Sequence, residues 1–262
     1  MPHFIRHEIT IFFTALMFYT RIPCPRWVTH KEAYLNEATR YFPLMGWLVG
    51  GVCAAVLYGS HFVFPPSIGV LLALVQGIFL TGAFHEDGFA DVCDGFGGGW
   101  TKAKILAIMK DSRLGTYGAA GLFFLLACKW ALLYEITQMS LSVALLSLWA
   151  GHSTSRFIAA TFMYTHQYSR EDAQSKVKPV AKQLSMGNLL IAGFWGLLPL
   201  AFFFNPFVWG LLLPLYLLKI YLAWYFQKWI GGYTGDCLGA TQQLAVLVFY
   251  MGILCLLRFD ML

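Results

Sequence analysis

The chain has 262 residues, of which 58% are hydrophobic and only 12% charged, and its formal net charge is +5. Because soluble domains carry about twice that share of charged residues, this composition excludes an ordinary soluble enzyme and indicates a polytopic membrane protein. The basic residues form no continuous face, so we expect no nucleic-acid partner. The six cysteines contain no C-x-x-C pair and lie in or beside apolar runs, so we expect neither a disulfide framework nor a zinc site.

The N-terminal stretch resembles a signal peptide only faintly, because it has no small-x-small cleavage site and Glu8 opens its apolar run. We expect it to be retained as a short interfacial or re-entrant helix over 9–20 that ends at the prolines of "RIPCPRW". A spanning helix needs roughly 17–25 mostly apolar residues. About seven segments approach or meet that length: 41–64, 67–84, 117–137, 142–164, 187–204, 207–226 and 238–257. We therefore predict an all-α bundle in one integral membrane domain, 1–262.

Lysines and arginines are concentrated in alternate connections between these segments. The basic connections are 21–40, 85–116, 165–186 and 227–237, whereas the intervening ones carry no lysine or arginine. The positive-inside rule therefore places all the basic loops, and with them the polar chemistry, on the cytoplasmic side. The loop 165–186 would also attract a bulky anionic substrate from the cytoplasm.

The densest group of charged residues is "HEDGFADVCDG", which directly follows an apolar run. Asp87, Asp91 and Asp94 have the offsets i, i+4 and i+7, which place them on one stripe of a helix. Such a stripe repels itself, and more strongly near a bilayer. A hard cation such as Mg²⁺ relieves that repulsion and prefers carboxylate oxygens. We predict that the three aspartates bind Mg²⁺; the alternative is a solvated acidic patch at a helix end.

Three other titratable residues, His85, Glu86 and Asp236, are considered for this site. His85 lies on the opposite side of the same helix from Asp91 and is either a hydrogen-bonded structural residue or an acid–base group. Glu86 lies off the stripe, and we do not expect it to bind the metal. Asp236, in "GGYTGDCLGA", could complete the metal shell from a distant part of the chain or cap the last helix.

Several cationic groups are candidates for holding a phosphate. In "KDSRLGTYG", Lys110 acts as a point charge and Arg113 as a bidentate donor, unless Arg113 only pairs locally with Asp111. Arg156 lies inside a predicted span, and we expect it to point towards the acidic site or a substrate phosphate. The predicted substrate-binding residues are Lys110, Asp111, Arg113, Arg156 and Thr234.

Together these motifs resemble the cobalamin synthase family, the integral membrane adenosylcobinamide-GDP ribazoletransferases. The family pattern is a histidine, one variable residue and then D-G-x-A-D-x-x-D-G, and the stretch from His85 to Gly95 matches it. Four further blocks resemble the family in the same order: "TRIPCPR", "YFPLMGWLVG", "MKDSRLGTYG" and "GGYTGDCLGA". Glu86 departs from the pattern, since an apolar residue is more usual there.

The resemblance implies a transferase that completes the nucleotide loop of cobalamin. A hydroxyl of α-ribazole, or of its 5′-phosphate, attacks the cobinamide-side phosphorus of adenosylcobinamide-GDP, and GMP leaves. Mg²⁺ is the implied cofactor, the bacterial inner membrane is the implied location, and other enzymes of cobalamin synthesis are candidate partners. The candidate catalytic groups are Asp91, Asp94 and His85, with His85 or a carboxylate as the base.

Two other classes remain as alternatives. A CDP-alcohol phosphotransferase also carries aspartates and glycines on helices, but its D-G-x-x-A-R pattern has arginine where this chain has Asp91. A cation transporter would use the aspartates to bind an ion in transit, although transporters place such sites near the bilayer midplane and often show inverted repeats.

Overall fold

A computed structural model describes residues 3–28, 32–169 and 183–262, and these residues form eleven α-helices joined by short turns and three short 3₁₀ segments. The helices are α1 (His3–Tyr19), α2 (Glu32–Ala38), α3 (Phe42–His61), α4 (Pro66–Thr81), α5 (Phe84–Gly98), α6 (Lys102–Ile108), α7 (Thr116–Met139), α8 (Leu141–Thr165), α9 (Met186–Leu197), α10 (Leu212–Ile230) and α11 (Gly235–Arg258). The 3₁₀ segments are Thr39–Tyr41, Leu198–Phe203 and Pro206–Leu211. The predicted all-α membrane bundle is confirmed. Part of the basic loop 165–186 lies outside the described residues.

Five stretches are long and apolar enough to cross a membrane, and the bent pair α4–α5 makes a sixth if it counts as one broken span. The five are Tyr34–His61, Thr116–Met139, Met186–Phe203, Pro206–Ile230 and Gly235–Arg258. The prediction of about seven spans therefore needs correction at α4 and α8. α4 has only 16 residues before it ends at a bend. α8 has 25 residues, but it is less apolar than a lipid-facing span.

The polar character of α8 follows from its position at the centre of the bundle, in contact with α3, α9 and α11. Glycines allow α3 to pack closely against it. A Cβ on Gly46 would collide with the backbone of His152, and a Cβ on Gly50 would lie 2.6 Å from the carbonyl oxygen of Leu148. Close approach of this kind is how helices associate within a bilayer. Because α8 faces protein on most sides, its polar side chains avoid lipid.

The helix with the acidic motif leaves the bundle direction at a sharp bend. α4 and α5 meet at 89°, and the turn between them places Gly82 at φ 65° and Ala83 at φ 59°. Glycine adopts this left-handed conformation without strain. The amide of Arg21 donates to the carbonyl oxygen of Leu80 at 2.8 Å, and the Arg21 side chain fills the space that a Cβ on Gly82 would need. The N-terminal segment thus supports the bend that sets the direction of α5.

The N-terminal helix is longer than the predicted 9–20 segment. α1 has 17 residues and is joined to the start of α3 through Glu8. The Glu8 carboxylate accepts a hydrogen bond from Arg40 at 2.9 Å and another from Tyr41 at 2.7 Å. The prediction of a short helix that stops before the prolines is confirmed, and these contacts fix it against the bundle.

Candidate functional site

The three aspartates of the acidic motif lie on α5, as their spacing predicts. Their exposure falls along the helix, because Asp87 is exposed, Asp91 is half-buried and Asp94 is buried. The stripe therefore runs from the protein surface into the packed contact between α5 and α7.

Asp94 connects α5 to the start of α7. One carboxylate oxygen accepts a hydrogen bond from the Gly115 amide at 2.7 Å, and the other accepts one from the Gly118 amide at 2.8 Å. A Cβ at either glycine would collide with the carboxylate. The first amide groups of a helix have no partner within the helix, so this contact satisfies two of them and stabilises the start of α7. This structural function was not predicted.

The same contact brings the basic loop to the acidic helix. The loop that carries Lys110, Asp111 and Arg113 ends at Gly115 and is therefore anchored to Asp94. The Arg113 guanidinium pairs with the Asp111 carboxylate at 2.6 Å and, by hydrogen bonding, holds the pKa of that carboxyl below its usual value. Arg113 and Lys110 are exposed to solvent. The local Asp–Arg pair, one of the two interpretations of this loop, is present.

Asp236 reaches the acidic helix from the far end of the sequence. The first turn of α11 packs on α5 so closely that a Cβ on Gly88 would lie 3.0 Å from the Cα of Asp236. Thr234, rather than Asp236, caps α11, since its fully buried hydroxyl accepts from the Cys237 amide at 3.3 Å. The Asp236 backbone therefore lies against the acidic helix, and the role of its carboxylate in a metal shell stays a prediction. Thr234, predicted to contact substrate, is enclosed beneath the surface.

Within the described ranges, no group of three or more histidine, cysteine, aspartate or glutamate side chains is placed to enclose a metal ion. The predicted shell of Asp87, Asp91, Asp94 and Asp236 is therefore not assembled as a protein-only site. Mg²⁺ commonly binds one or two carboxylates together with water and substrate phosphates. The exposed Asp87 and the half-buried Asp91, one turn apart, have the donor chemistry for that kind of site.

A second polar group lies on the inner side of α5, beneath the aspartate stripe. His85 and Glu86 line a small cavity of about 20 Å³ together with Lys129 of α7, His152 and Arg156 of α8, and glutamines of α11. That volume is enough for about one water molecule and far too small for a nucleotide. The four predicted metal ligands do not line it.

The cavity contains a chain of hydrogen bonds between charged groups. The Lys129 ammonium donates to the side-chain oxygen of Gln243, and the Gln243 amide donates to Glu86 at 2.9 Å. Among the described residues that line the cavity, Glu86 is the only carboxylate. It therefore balances part of the positive charge of Lys129 and Arg156. A buried cation without a countercharge is costly within a membrane, which gives the departure from the family pattern at position 86 a structural reason.

Several polar atoms in this cavity have no hydrogen-bond partner among the described residues. They are His85 Nε2, Glu86 Oε2, Arg156 Nε, Gln242 Oε1 and the Tyr250 hydroxyl. Buried polar groups are usually hydrogen-bonded, so these five unpartnered atoms make the cavity the least satisfied polar part of the interior that the structure describes.

The position of Arg156 differs from the prediction. Its guanidinium donates to the backbone oxygen of His152 at 2.7 Å and lies 3.1 Å from that residue's Nδ1. In the described part of the chain it forms no ion pair with the aspartates. Arg156 points into the cavity instead, because α8 lies under the inner side of α5 rather than beside its aspartate stripe.

The structure thus separates the predicted residues into two groups. The outer group combines Asp87, Asp91 and Asp94 with Asp236 and the loop that carries Lys110, Asp111 and Arg113. The inner group combines His85 with Arg156 and includes Glu86, Lys129, Gln242 and Gln243. Sequence analysis missed the two glutamines, although adjacent amides within an apolar helix were a usable signal of a polar interior.

Comparison with known proteins finds one family model and several relatives that match most of the chain. The family model "Cobalamin-5-phosphate synthase" matches residues 11–254. A protein named adenosylcobinamide-GDP ribazoletransferase from Shewanella frigidimarina is 46% identical over 94% of this chain and 95% of its own length. One of the same name from Shewanella piezotolerans is 48% identical over the same shares, and one from Leptospira interrogans is 40% identical over 95% of this chain and 96% of its own length. No solved structure gives a significant match.

Proposed function

This chain belongs to the cobalamin-5-phosphate synthase family, and we propose that it is a membrane transferase that completes the nucleotide loop of cobalamin. In this reaction adenosylcobinamide-GDP and α-ribazole, or its 5′-phosphate, give adenosylcobalamin, or its phosphate, and GMP. Support comes from relatives with one shared name that match along nearly the whole chain.

The chemistry transfers a phosphoryl-linked group from GMP to a hydroxyl. The ribazole hydroxyl oxygen forms a bond to the cobinamide-side phosphorus, and the bond from that phosphorus to the bridging oxygen breaks. GMP leaves with the bridging oxygen, and the hydroxyl proton passes to a base. Reactions of this type depend on positioning and on neutralisation of charge more than on covalent participation by the protein. Acidic and basic groups held side by side suit both needs.

Asp87 and Asp91 are the residues that would hold Mg²⁺, with Asp236 close by on α11. The ion, when bound, would neutralise charge on the diphosphate. Asp94 contributes to this site mainly by fixing the start of α7, because both of its oxygens already accept amide hydrogen bonds.

A carboxylate of the stripe that does not bind the metal would accept the proton of the attacking hydroxyl. His85 is the second choice because it is buried on the inner side of α5 and stacks on Phe42 with ring centroids 5.6 Å apart. The exposed Lys110 and Arg113 would attract the diphosphate, and the substrate would compete with Asp111 for the guanidinium.

The positive-inside pattern supports a site on the cytoplasmic face of a bacterial inner membrane.

The observation that carries the proposed function is the contact of Asp94 with Gly115, which joins the acidic helix to the basic loop.

The test is an assay of the purified protein in detergent with adenosylcobinamide-GDP and α-ribazole. We expect GMP release and cobalamin formation in equal amounts with Mg²⁺, and neither product with EDTA. Full activity in EDTA would overturn the role of the metal, and no product under any condition would overturn the proposed reaction.

A further inference from the structure

A basic groove lies on the outer surface of the bundle, apart from the acidic site. It is lined by one face of α10 and by His166, just beyond the end of α8, and has a volume of about 430 Å³. Lys219, Trp224 and Lys228 are among its lining residues, and Trp224 lies between the two lysines along α10. We propose that this groove binds the phosphate headgroup of an anionic phospholipid.

The two lysines of the groove have N–H donors without a carboxylate partner among the described residues. Lys219 is only 7% exposed, and its ammonium donates to the Thr165 hydroxyl at 2.9 Å, which leaves two of its three N–H donors for a ligand. The exposed Lys228 ammonium lies 5.2 Å from the ring centroid of Trp224. In the described part of the chain, no carboxylate lies within ion-pair distance of either lysine.

The charge of the groove comes from these lysines rather than from the histidine. Burial and the nearby Lys219 lower the pKa of His166, so its ring is uncharged at neutral pH and can donate or accept one hydrogen bond. Two positive charges in a groove with a neutral polar edge are complementary to a singly charged phosphodiester.

The surface next to the groove favours a lipid over a free phosphate. From the groove, a continuous strip of exposed apolar and aromatic side chains follows α10 away from Lys228. The strip consists of Leu213, Tyr216, Leu217, Ile220 and Trp224, at helical spacing. Acyl chains would lie along such a strip, whereas inorganic phosphate or a nucleotide has no group to cover it.

The groove lies at a depth where lipid headgroups are expected. Lys228 lies in the last turn of α10 against the rings of Trp224 and Trp229, and Tyr221 contacts Trp224. Amphipathic aromatic residues of this kind collect at the membrane–water boundary. The positive-inside pattern places this end of α10 on the cytoplasmic side, where anionic lipids attract lysines near the surface.

The test compares the melting temperature of the detergent-purified full chain with added phosphatidylglycerol, phosphatidylcholine or inorganic phosphate. Native mass spectrometry counts the bound lipid. We expect phosphatidylglycerol alone to raise the melting temperature by several degrees and to remain bound to the wild-type protein. Lys228→Gln, an exposed change that leaves the fold intact, and Lys219→Gln should lose most of this shift, whereas Lys104→Gln on α6 should keep it.

An equal shift in Lys228→Gln and the wild type would overturn the proposal. The same shift with inorganic phosphate would assign the groove to a soluble phosphate and would also overturn it. Both measurements are independent of transferase activity, so they do not depend on the proposed function.

Discussion

The carboxylate of Asp94 lies 2.7 Å from the amide nitrogen of Gly115 and receives its hydrogen bond. These residues are separated by the whole of α6, yet their contact joins the acidic face of α5 to the loop that carries Lys110 and Arg113. The carboxylates proposed to bind a cation and the loop proposed to bind a phosphate are therefore joined by a direct hydrogen bond.

Asp94→Ala should reduce stability and activity together. The substitution leaves the amides of Gly115 and Gly118 without their acceptor in a buried contact, which costs about 1–3 kcal/mol for each unsatisfied group. Thermal unfolding in detergent measures the first effect and GMP release the second. Asp87→Ala is the matched control, because this exposed carboxylate should affect activity but hardly the melting temperature. Equal melting temperatures for Asp94→Ala and the wild type would contradict the anchoring role.

Gly118→Ala should destabilise the same contact from the other side. The added methyl group would collide with the Asp94 carboxylate, and overpacking of this kind costs about 1–3 kcal/mol. Gly51→Ala in α3 is the control, since no atom lies within 4 Å of its added Cβ and alanine favours a helix more than glycine does. The comparison uses the melting temperatures of the two variants, and a drop for Gly51→Ala as large as that for Gly118→Ala would refute the explanation.

Glu86→Gln should destabilise the bundle by removing the carboxylate that balances Lys129 and Arg156. Breaking a buried charge arrangement by removing one partner costs roughly 3 kcal/mol or more. Adding Lys129→Met should recover much of that loss, because the second change removes a cation. A double-mutant cycle of unfolding free energies measures the coupling. Strictly additive effects would mean that the two groups do not interact through Gln243.

Arg113→Gln should weaken substrate binding and leave the fold unchanged. We expect the KM for adenosylcobinamide-GDP to rise while kcat changes less, since an exposed guanidinium contributes to capture of the anion. The Asp111 carboxyl has a lowered pKa in the folded protein, so the pair stabilises the loop at neutral pH. The stabilisation by this pair is fully present above the pKa of the unfolded Asp111 carboxyl, and it is lost as the pH falls through the lowered pKa of the folded state. Steady-state kinetics test the prediction, and an unchanged KM would remove Arg113 from the phosphate site.

Much of the fold followed from apolar segment lengths and the placement of basic loops. The departures, at α4 and α8, have two different physical reasons. Hydropathy reports whether a helix tolerates lipid, but α8 is surrounded by other helices and α4 ends early where Gly82 and Ala83 turn the chain. Neither the central position nor the 89° bend can be derived from the composition of a single segment.

The stripe of Asp87, Asp91 and Asp94 followed from helical periodicity alone, and the approach of Asp236 was anticipated from its place at the start of an apolar helix. The partner of Asp94 was not, because a hydrogen bond to backbone amides leaves no pattern in the side chains of those residues. Arg156 was assigned to the wrong neighbours, since sequence shows that an intramembrane arginine needs a polar environment but not which one. The inner cavity around Glu86 became visible only when α7, α8 and α11 were placed together.

GMP release by purified Asp91→Asn, compared with the wild type under saturating Mg²⁺ and both substrates, tests the central role of the acidic helix most directly. The account predicts a loss of at least about 100-fold, the order expected for removal of a catalytic proton acceptor or metal ligand, with an unchanged melting temperature. Wild-type release by a correctly folded Asp91→Asn protein would contradict it.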